Sequence, residues 1–492
     1  MTPIEIPGIS AKWAIGFFAL SHTAVASLAI GMAFFVTVAQ IISYRTRDRR
    51  YDLLAKHIQL IHVCIYNIGT ILAIGLVFAL SGLYPQFWSQ IFVHLFWTLI
   101  GEELLFFLLA TTLTFHYFFW DHLWGHKKLH IALGATLTPV FLLQFYLING
   151  IGAFMLTPGA GEATISMSTG IIGWDKWAFY NPSFLMLTLH RAFANVAYGG
   201  FVIAAICGVM HYLSGREKMQ SYYEDGGRLA FSVGFMAFLS MPIIGYFYAH
   251  VLKGHGQEAY VNLMWGKGDI VAGGIDWWWV KHLCVAAVLG GTMRYFHRTS
   301  DHSQALPVPR VLIYTLATFY TMFYLAMGMV MTWAFFWWMM AAASAGAFIV
   351  GHLLRIGEKE NSARAVYVLI GILSFATVLL GGYSREAARP RFENRIAAHD
   401  KVYVPEERQP YLMVDVDPSL IPPAPPMPAP EVEEGVILIR SNCSGCHTLD
   451  RIKSYSLDDW YLIVNQMRAY GLKITDEQAE KITEYLMSGK PY

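Results

Sequence analysis

The chain is short of charge: Asp, Glu, Lys and Arg make up only 14% of its 492 residues. A soluble domain carries about a quarter, so a water-facing surface over most of this chain is excluded. The net charge of +1 is the remainder of 35 basic and 34 acidic residues, and no bulk basicity points to nucleic acid. Cysteine is scarce too, with five residues. Three of them, Cys64, Cys207 and Cys284, stand singly in apolar runs and read as small packing residues. No cleavable leader is evident, because the first apolar stretch (about 11–44) has little positive charge before it and is too long for a signal core. No solenoid-type repeat occurs.

What is abundant is apolar sequence: 55% of residues are hydrophobic. Spans of about 20 apolar residues fit at ten places: 12–43, 57–83, 90–119, 129–156, 183–213, 227–250, 276–297, 310–332, 334–355 and 363–384. The expected fold class is therefore all-α, a polytopic transmembrane helical bundle. Lys and Arg in short loops mark the cytoplasmic side. Arg45 to Arg50, Lys127 and Lys128, Arg216 and Lys218, Arg298 and Arg310, and Arg355, Lys359 and Arg364 fall on one side if the amino terminus is outside. Ten spans, with a tight hairpin near Trp333, then place both termini outside. The expected location is a bacterial inner membrane, with the carboxyl-terminal domain on the periplasmic side.

The chain divides into a membrane core (1–392), a polar then proline-rich linker (393–430) and a small helical domain (431–492). The linker carries Pro418, Pro422, Pro423, Pro425, Pro426, Pro428 and Pro430 and reads as an extended spacer. Beyond it, Ser456 with Asp459 and Thr475 with Gln478 have capping-box spacing and mark two helix starts.

Within that domain Cys443-Ser444-Gly445-Cys446-His447 has the C-x-x-C-H spacing that attaches haem c. The two thiols reach the two vinyl groups of one porphyrin, and the adjacent imidazole becomes the proximal ligand. A zinc half-site or a redox dithiol are the competing readings, and no second cysteine pair completes a zinc site. Met467 is the expected sixth ligand, with Met487 as fallback; alternatively Met467 only packs against the helix from Thr475. Over about 60 residues the segment resembles small monohaem cytochrome c domains, whose haem is attached outside the cytoplasmic membrane.

The chain has eighteen histidines, and ionisable groups inside spans are functional candidates by default. His22, His94, His190, His250 and His282 lie toward the outer half, where neutral imidazole suits a haem b iron. His57, His62, His116, His122, His126, His130, His297 and His352 lie near cytoplasmic ends and read as interfacial.

Several runs resemble cytochrome bd oxidase subunit I. Leu187-Thr-Leu-His190-Arg-Ala-Phe-Ala-Asn-Val-Ala-Tyr-Gly-Gly-Phe resembles that family's fifth-helix segment, whose histidine ligates a low-spin haem b. Ala19-Leu-Ser-His22-Thr-Ala-Val-Ala-Ser-Leu-Ala-Ile-Gly resembles its first helix, with a ligand at the high-spin haem site. Gly101-Glu102-Glu103-Leu-Leu-Phe-Phe, followed by Trp120-Asp121, resembles its third helix and the haem-site glutamate there. The run Arg355 to Lys359 through Glu386 to Arg389 resembles its last helix pair, which implies Glu386 as a haem ligand.

The chain departs from that family at several points. A second third-helix glutamate is expected near Leu109, which is apolar, and the first aligns closer to Gly101 than to Glu102. The low-spin methionine is expected near Trp333, where only Met331, Met339 or Met340 is at hand. The family's quinol loop is replaced by a short loop and two added spans, and one of these carries Trp279-Val280-Lys281-His282. We therefore expect His190 to pair with His282 at a bis-histidine haem.

The expected cofactors are one covalent haem c and one or more haem b, two by the resemblance. The first functional expectation is a haem-dependent oxidoreductase that passes electrons from quinol through haem b and haem c to a periplasmic cytochrome. Glu102, Glu103 and Glu386 would serve as ligand or proton-transfer groups. The second is a terminal oxidase fed through haem c, and the third a non-catalytic haem c anchor in a larger respiratory complex. The resemblance also implies a further membrane subunit.

Overall fold

The computed structural model describes residues 11–85, 95–154, 156–157, 179–214, 217–255, 271–272, 275–299, 334–353, 360–388, 434–443, 460–469 and 472–488, with isolated positions 88, 92, 260, 263, 319 and 322. Cys446, His447, His94, Met331, the Ser456 cap, the proline-rich linker and nearly all of span 310–332 lie outside these residues.

The described core is helical: α1 (Ala11–Thr46), α2 (Arg49–Leu83), α3 (Phe96–Phe118), α4 (Lys127–Phe154), α5 (Phe184–Leu213), α6 (Glu217–Phe238), α7 (Met241–His255), α8 (Trp277–Thr299), α9 (Ala334–Leu353) and α10 (Glu360–Ala388). A two-residue antiparallel pair, Val271–Ala272 with Ile275–Asp276, precedes α8. Among the described residues, seven helices are long and apolar enough to cross a membrane, with α6 and α7 together forming one of them. They match seven of the ten expected spans. Helix α8 covers the expected 276–297 but falls outside those seven, and Trp338–Leu353 of α9 is a shorter apolar helix.

Local chemistry sets the breaks. Arg47 has φ 59°, and Asp48 caps α2 by accepting a 3.0 Å hydrogen bond from the Arg50 amide; the α1–α2 connection is correspondingly tight. The hydrogen bonds from the Arg50 guanidinium hold the Asp48 carboxyl below the usual carboxylate range. Pro242 in the first turn of α7, where a missing N–H costs little, separates α6 from α7.

Helix α1 is the hub of the bundle, packing on α2, α4, α5 and α10. It meets α5 where two glycines coincide: a Cβ on Gly31 would lie 2.7 Å from the Cα of Gly199. Gly200 makes the same kind of contact with Gly234 of α6, and Gly290 of α8 faces Ala347 and Phe348 of α9. Glycine at these points lets backbones approach without a hydrophobic driving force. The glycine pairs that follow His190 and His282 in sequence are thus helix-contact sites.

The carboxyl-terminal helices α11 (Glu434–Asn442), α12 (Trp460–Ala469) and α13 (Asp476–Met487) enclose their own core of Ile439, Cys443, Trp460, Ile463, Val464, Ala479, Ile482 and Leu486. The capping box expected at Thr475 and Gln478 is present, with reciprocal bonds of 3.2 and 3.0 Å. Of the three single cysteines, Cys207 is buried in the core, whereas Cys64 is exposed on the outer face of α2. An apolar run does not say which side of a lipid-facing helix a thiol occupies.

Candidate functional site

His22 lies in the first third of α1, and its Nδ1–H donates to the Gly69 carbonyl of α2 at 3.0 Å. That bond fixes the tautomer and leaves Nε2 with its lone pair, the form an iron ligand requires. On α3, Glu102 is half-buried and accepts a 2.8 Å hydrogen bond from Gln144 of α4. Its neighbour Glu103 is exposed. The helix turn therefore separates the paired glutamates, and only Glu102 joins the interior.

One turn further along α4, Asn149 accepts a 2.6 Å bond from Arg191 of α5, whose guanidinium also lies 5.0 Å from the Phe145 ring. Arg385, in the last turn of α10, donates to the Gly152 carbonyl. Arg385 and Tyr248 of α7 lie close enough to Arg191 to act on it electrostatically, and Arg191 acts likewise on His22. His190, adjacent to Arg191, has its ring 6.0 Å from Tyr248, and Gly245 lies beside its Nε2. Glu386 follows Arg385 in α10. His22, Glu102, His190 and the Arg385–Glu386 pair thus come from four helices to one end of the bundle, away from the α1–α2 turn.

His282 is on α8, its Nδ1–H donating to the Trp278 carbonyl at 2.8 Å with the Trp278 ring 4.2 Å away. Lys281 acts electrostatically on both His190 and His282. His250 is exposed on α7, its ring against Tyr246. Met340 is buried in the core, and Met339 packs against it. In the carboxyl-terminal unit, Cys443 is buried and Met467 packs against the same small core; Cys446 and His447 lie outside the described residues.

The donor set fits a haem with its two propionates. Among the described residues no carboxylate forms an ion pair with the half-buried Arg191, whose hydrogen-bond partner is a neutral amide. Asn149 Nδ2 and the Tyr248 hydroxyl are buried without a hydrogen-bond partner. Uncompensated donors of this kind call for an anionic acceptor.

Sequence reasoning misplaced three other histidines. His62, His116 and His130 are fully buried, not interfacial. Leu109, where the resemblance expects a second glutamate, is fully buried among Leu113, Leu137, Phe141 and Phe145.

Comparison with known proteins bears on the fold and the family. The solved structure of bd oxidase from Geobacillus thermodenitrificans shares the fold with a TM-score of 0.54 at 18% identity, covering 77% of this chain and 86% of that one. The putative cytochrome bd menaquinol oxidase subunit I of Bacillus subtilis (strain 168) is 24% identical over 247 residues, 48% of this chain and 53% of the relative. The chain thus spans about half the length of that curated relative. The sequence model for cytochrome bd terminal oxidase subunit I matches residues 10–262, the stretch that holds His22, Glu102, His190 and Arg191. With that match covering more than half of the 492 residues, this chain belongs to the cytochrome bd terminal oxidase subunit I family.

Proposed function

We propose that this chain is the haem-bearing subunit of a bd-type respiratory oxidase, in which a tethered haem c exchanges electrons with the haem sites of the core. The observation that carries the reading is the convergence at one end of the bundle of His22, Glu102, His190 and Arg191, the last without an ion-pairing acid among the described residues. The core residues would hold haem b at His22 and at His190, with His282 as a further ligand for the haem of His190 and Glu386 serving the first site. Cys443, Cys446, His447 and Met467 would hold haem c. Haem, when bound, supplies one-electron transfer through its iron.

Each chain residue then has a task. Gly69 holds the His22 tautomer, Arg191 and Asn149 receive a propionate, and Glu102, steadied by Gln144, takes or releases a proton near the haem. The basic residues around Arg45 to Arg50 and Lys127 face the cytoplasm in this reading. The cytochrome domain and the amino terminus face the periplasm. A quinol supplies electrons, and a second membrane subunit accompanies the chain, as the relatives' names and the family suggest.

A second reading sends electrons outward, from quinol through haem b and haem c to a periplasmic cytochrome. The apolar burial of Leu109, where a carboxylate is expected, favours it. The test is to count haems by type in the purified complex and then mix the reduced protein with oxygen. Haem b reoxidised by oxygen within milliseconds supports the oxidase. Reoxidation by a soluble cytochrome alone supports the outward route, and haem c without haem b refutes both.

A further inference from the structure

The α1–α2 turn and the α3–α4 connection bring an excess of positive charge to one surface, at the end of the bundle opposite the haem-ligand candidates. Arg45, Arg47, Arg49 and Arg50 come from the first segment, Lys127 and Lys128 from the second, and all except Lys127 are exposed. A cation–π contact joins the two segments. The Arg49 guanidinium lies 4.4 Å from the Trp124 ring, and the Lys127 ammonium lies 5.1 Å from the same ring.

The carboxylates of this surface are already taken. Arg50 pairs with Asp48 and Asp225, Lys56 with Asp121, and Lys127 with Asp52. Among the described residues, Arg45, Arg47, Arg49 and Lys128 form no ion pair with a carboxylate. Helix stability does not explain these four cations. Arg49 opens α2 and Lys128 lies in the first turn of α4, the ends at which the helix dipole favours anions and disfavours cations. Arg47 has φ 59°, a left-handed conformation that glycine or asparagine adopts with less strain. Its guanidinium, not its backbone, suits the position.

Trp124 marks the depth of the patch. Its ring is 40% exposed, and tryptophan settles at the headgroup level of a bilayer. The surface beside it is open, since a Cβ on Gly125 would meet nothing within 4 Å. Further along α2 and α4, Leu53 and Leu129 expose apolar side chains. Cations, an interfacial indole and apolar residues thus follow one another in the order of a phospholipid: phosphate, glycerol region and acyl chain.

We infer that this patch binds an anionic phospholipid, whose phosphate is met by Arg49 and the neighbouring unpaired cations beside Trp124. Guanidinium groups suit a phosphate because their paired N–H donors match its oxygens. Leu53 and Leu129 line the path of the acyl chains. The contact goes beyond the proposed function and asks nothing of the haem sites. Only its leaflet, the cytoplasmic one, rests on the proposed orientation.

The test uses the complete complex in a neutral detergent, with bound lipid read by native mass spectrometry. Phosphatidylglycerol is the probe and phosphatidylcholine the zwitterionic reference. The patch variant is Arg47→Asn with Arg49→Gln, in which asparagine keeps the left-handed turn; the control, Lys253→Gln with Lys473→Gln, removes two exposed cations elsewhere. The parent is expected to prefer phosphatidylglycerol and to lose affinity as salt is raised. The patch variant should bind it about thirtyfold more weakly, the control like the parent, and Arg47→Lys with Arg49→Lys close to the parent. If the patch variant does not purify, Arg45→Gln with Lys128→Gln is held to the same expectation. Equal affinity in parent and patch variant, or equal binding of the two lipids by the parent, overturns the inference. Displacement of the lipid by inorganic phosphate assigns the patch to a free anion, and a carbodiimide cross-link from Lys128 to another subunit assigns it to a protein interface; either result overturns it too.

Discussion

Gly31 and Gly199 bring α1 and α5 together backbone against backbone, and no side chain fits between them. The two helices carry His22 and His190, so the spacing of the proposed haem ligands depends on this crossing. Gly31→Leu or Gly199→Leu is expected to cost about 1–3 kcal/mol, as overpacking does, and to lower both haem b signals together. Haem counting by pyridine haemochrome would check it; loss of one haem alone would show that the crossing does not set both sites.

His22→Ala, His190→Ala and His282→Ala should separate the core sites. The first is expected to remove a high-spin signal, and the other two the same low-spin signal. An unchanged low-spin haem b spectrum in His282→Ala would sink the bis-histidine pairing.

Gln144→Leu removes the 2.8 Å donor to Glu102 and leaves a half-buried carboxylate short of a partner. A loss of about 1–3 kcal/mol is expected in thermal unfolding. Glu102→Gln in the same background should restore most of it, because the charge needing that donor is gone.

Asp48 gives a pH dependence of defined sign. Its carboxyl is held below the usual range by Arg50, so its contribution is complete above the ordinary carboxylate pKa and is lost as pH falls through the lowered one. Asp48→Ala is expected to cost about 0.5–2 kcal/mol at neutral pH, whereas Asp48→Asn keeps the cap and flattens the acid dependence. Parallel acid-unfolding curves for parent and Asp48→Asn would contradict this.

In the carboxyl-terminal unit, Cys443→Ala or Cys446→Ala should abolish the covalent haem stain on a denaturing gel. Met467→Ala should keep the stain and lower the haem c potential, since a thioether ligand raises it. An unaltered potential would mean that Met467 only packs.

Much of the core was legible because its signals are local. Apolar length marks a span, and Thr475 with Gln478 marks a helix start, without knowledge of neighbours. His22 and His190 stood out because the runs around them resemble a known family. The buried histidines were not legible: His57 and His62 look alike in sequence, yet one faces outward and the other is sealed against Phe141. Only the facing helices decide that difference. The seven-residue recurrence of Asp52, Gln59 and Tyr66 was the available signal, obscured by the apolar residues between them. Glu102 and Glu103 were inseparable for the same reason, until Gln144 picked out one of them.

The central position of α1 bears on how the protein is made. Helix α1 leaves the ribosome before α5 and α10, yet much of its surface is covered by them. At ordinary rates of translation α5 follows on the order of ten seconds after α1. During that interval Ser27, Gln40 and Ser43, all buried in the finished bundle, face lipid or an insertion factor. Among the described helices, the hairpin with α2, closed at Arg47 and Asp48, is the first partnership open to it, α4 the next, and assembly of the membrane core waits on the arrival of Gly199.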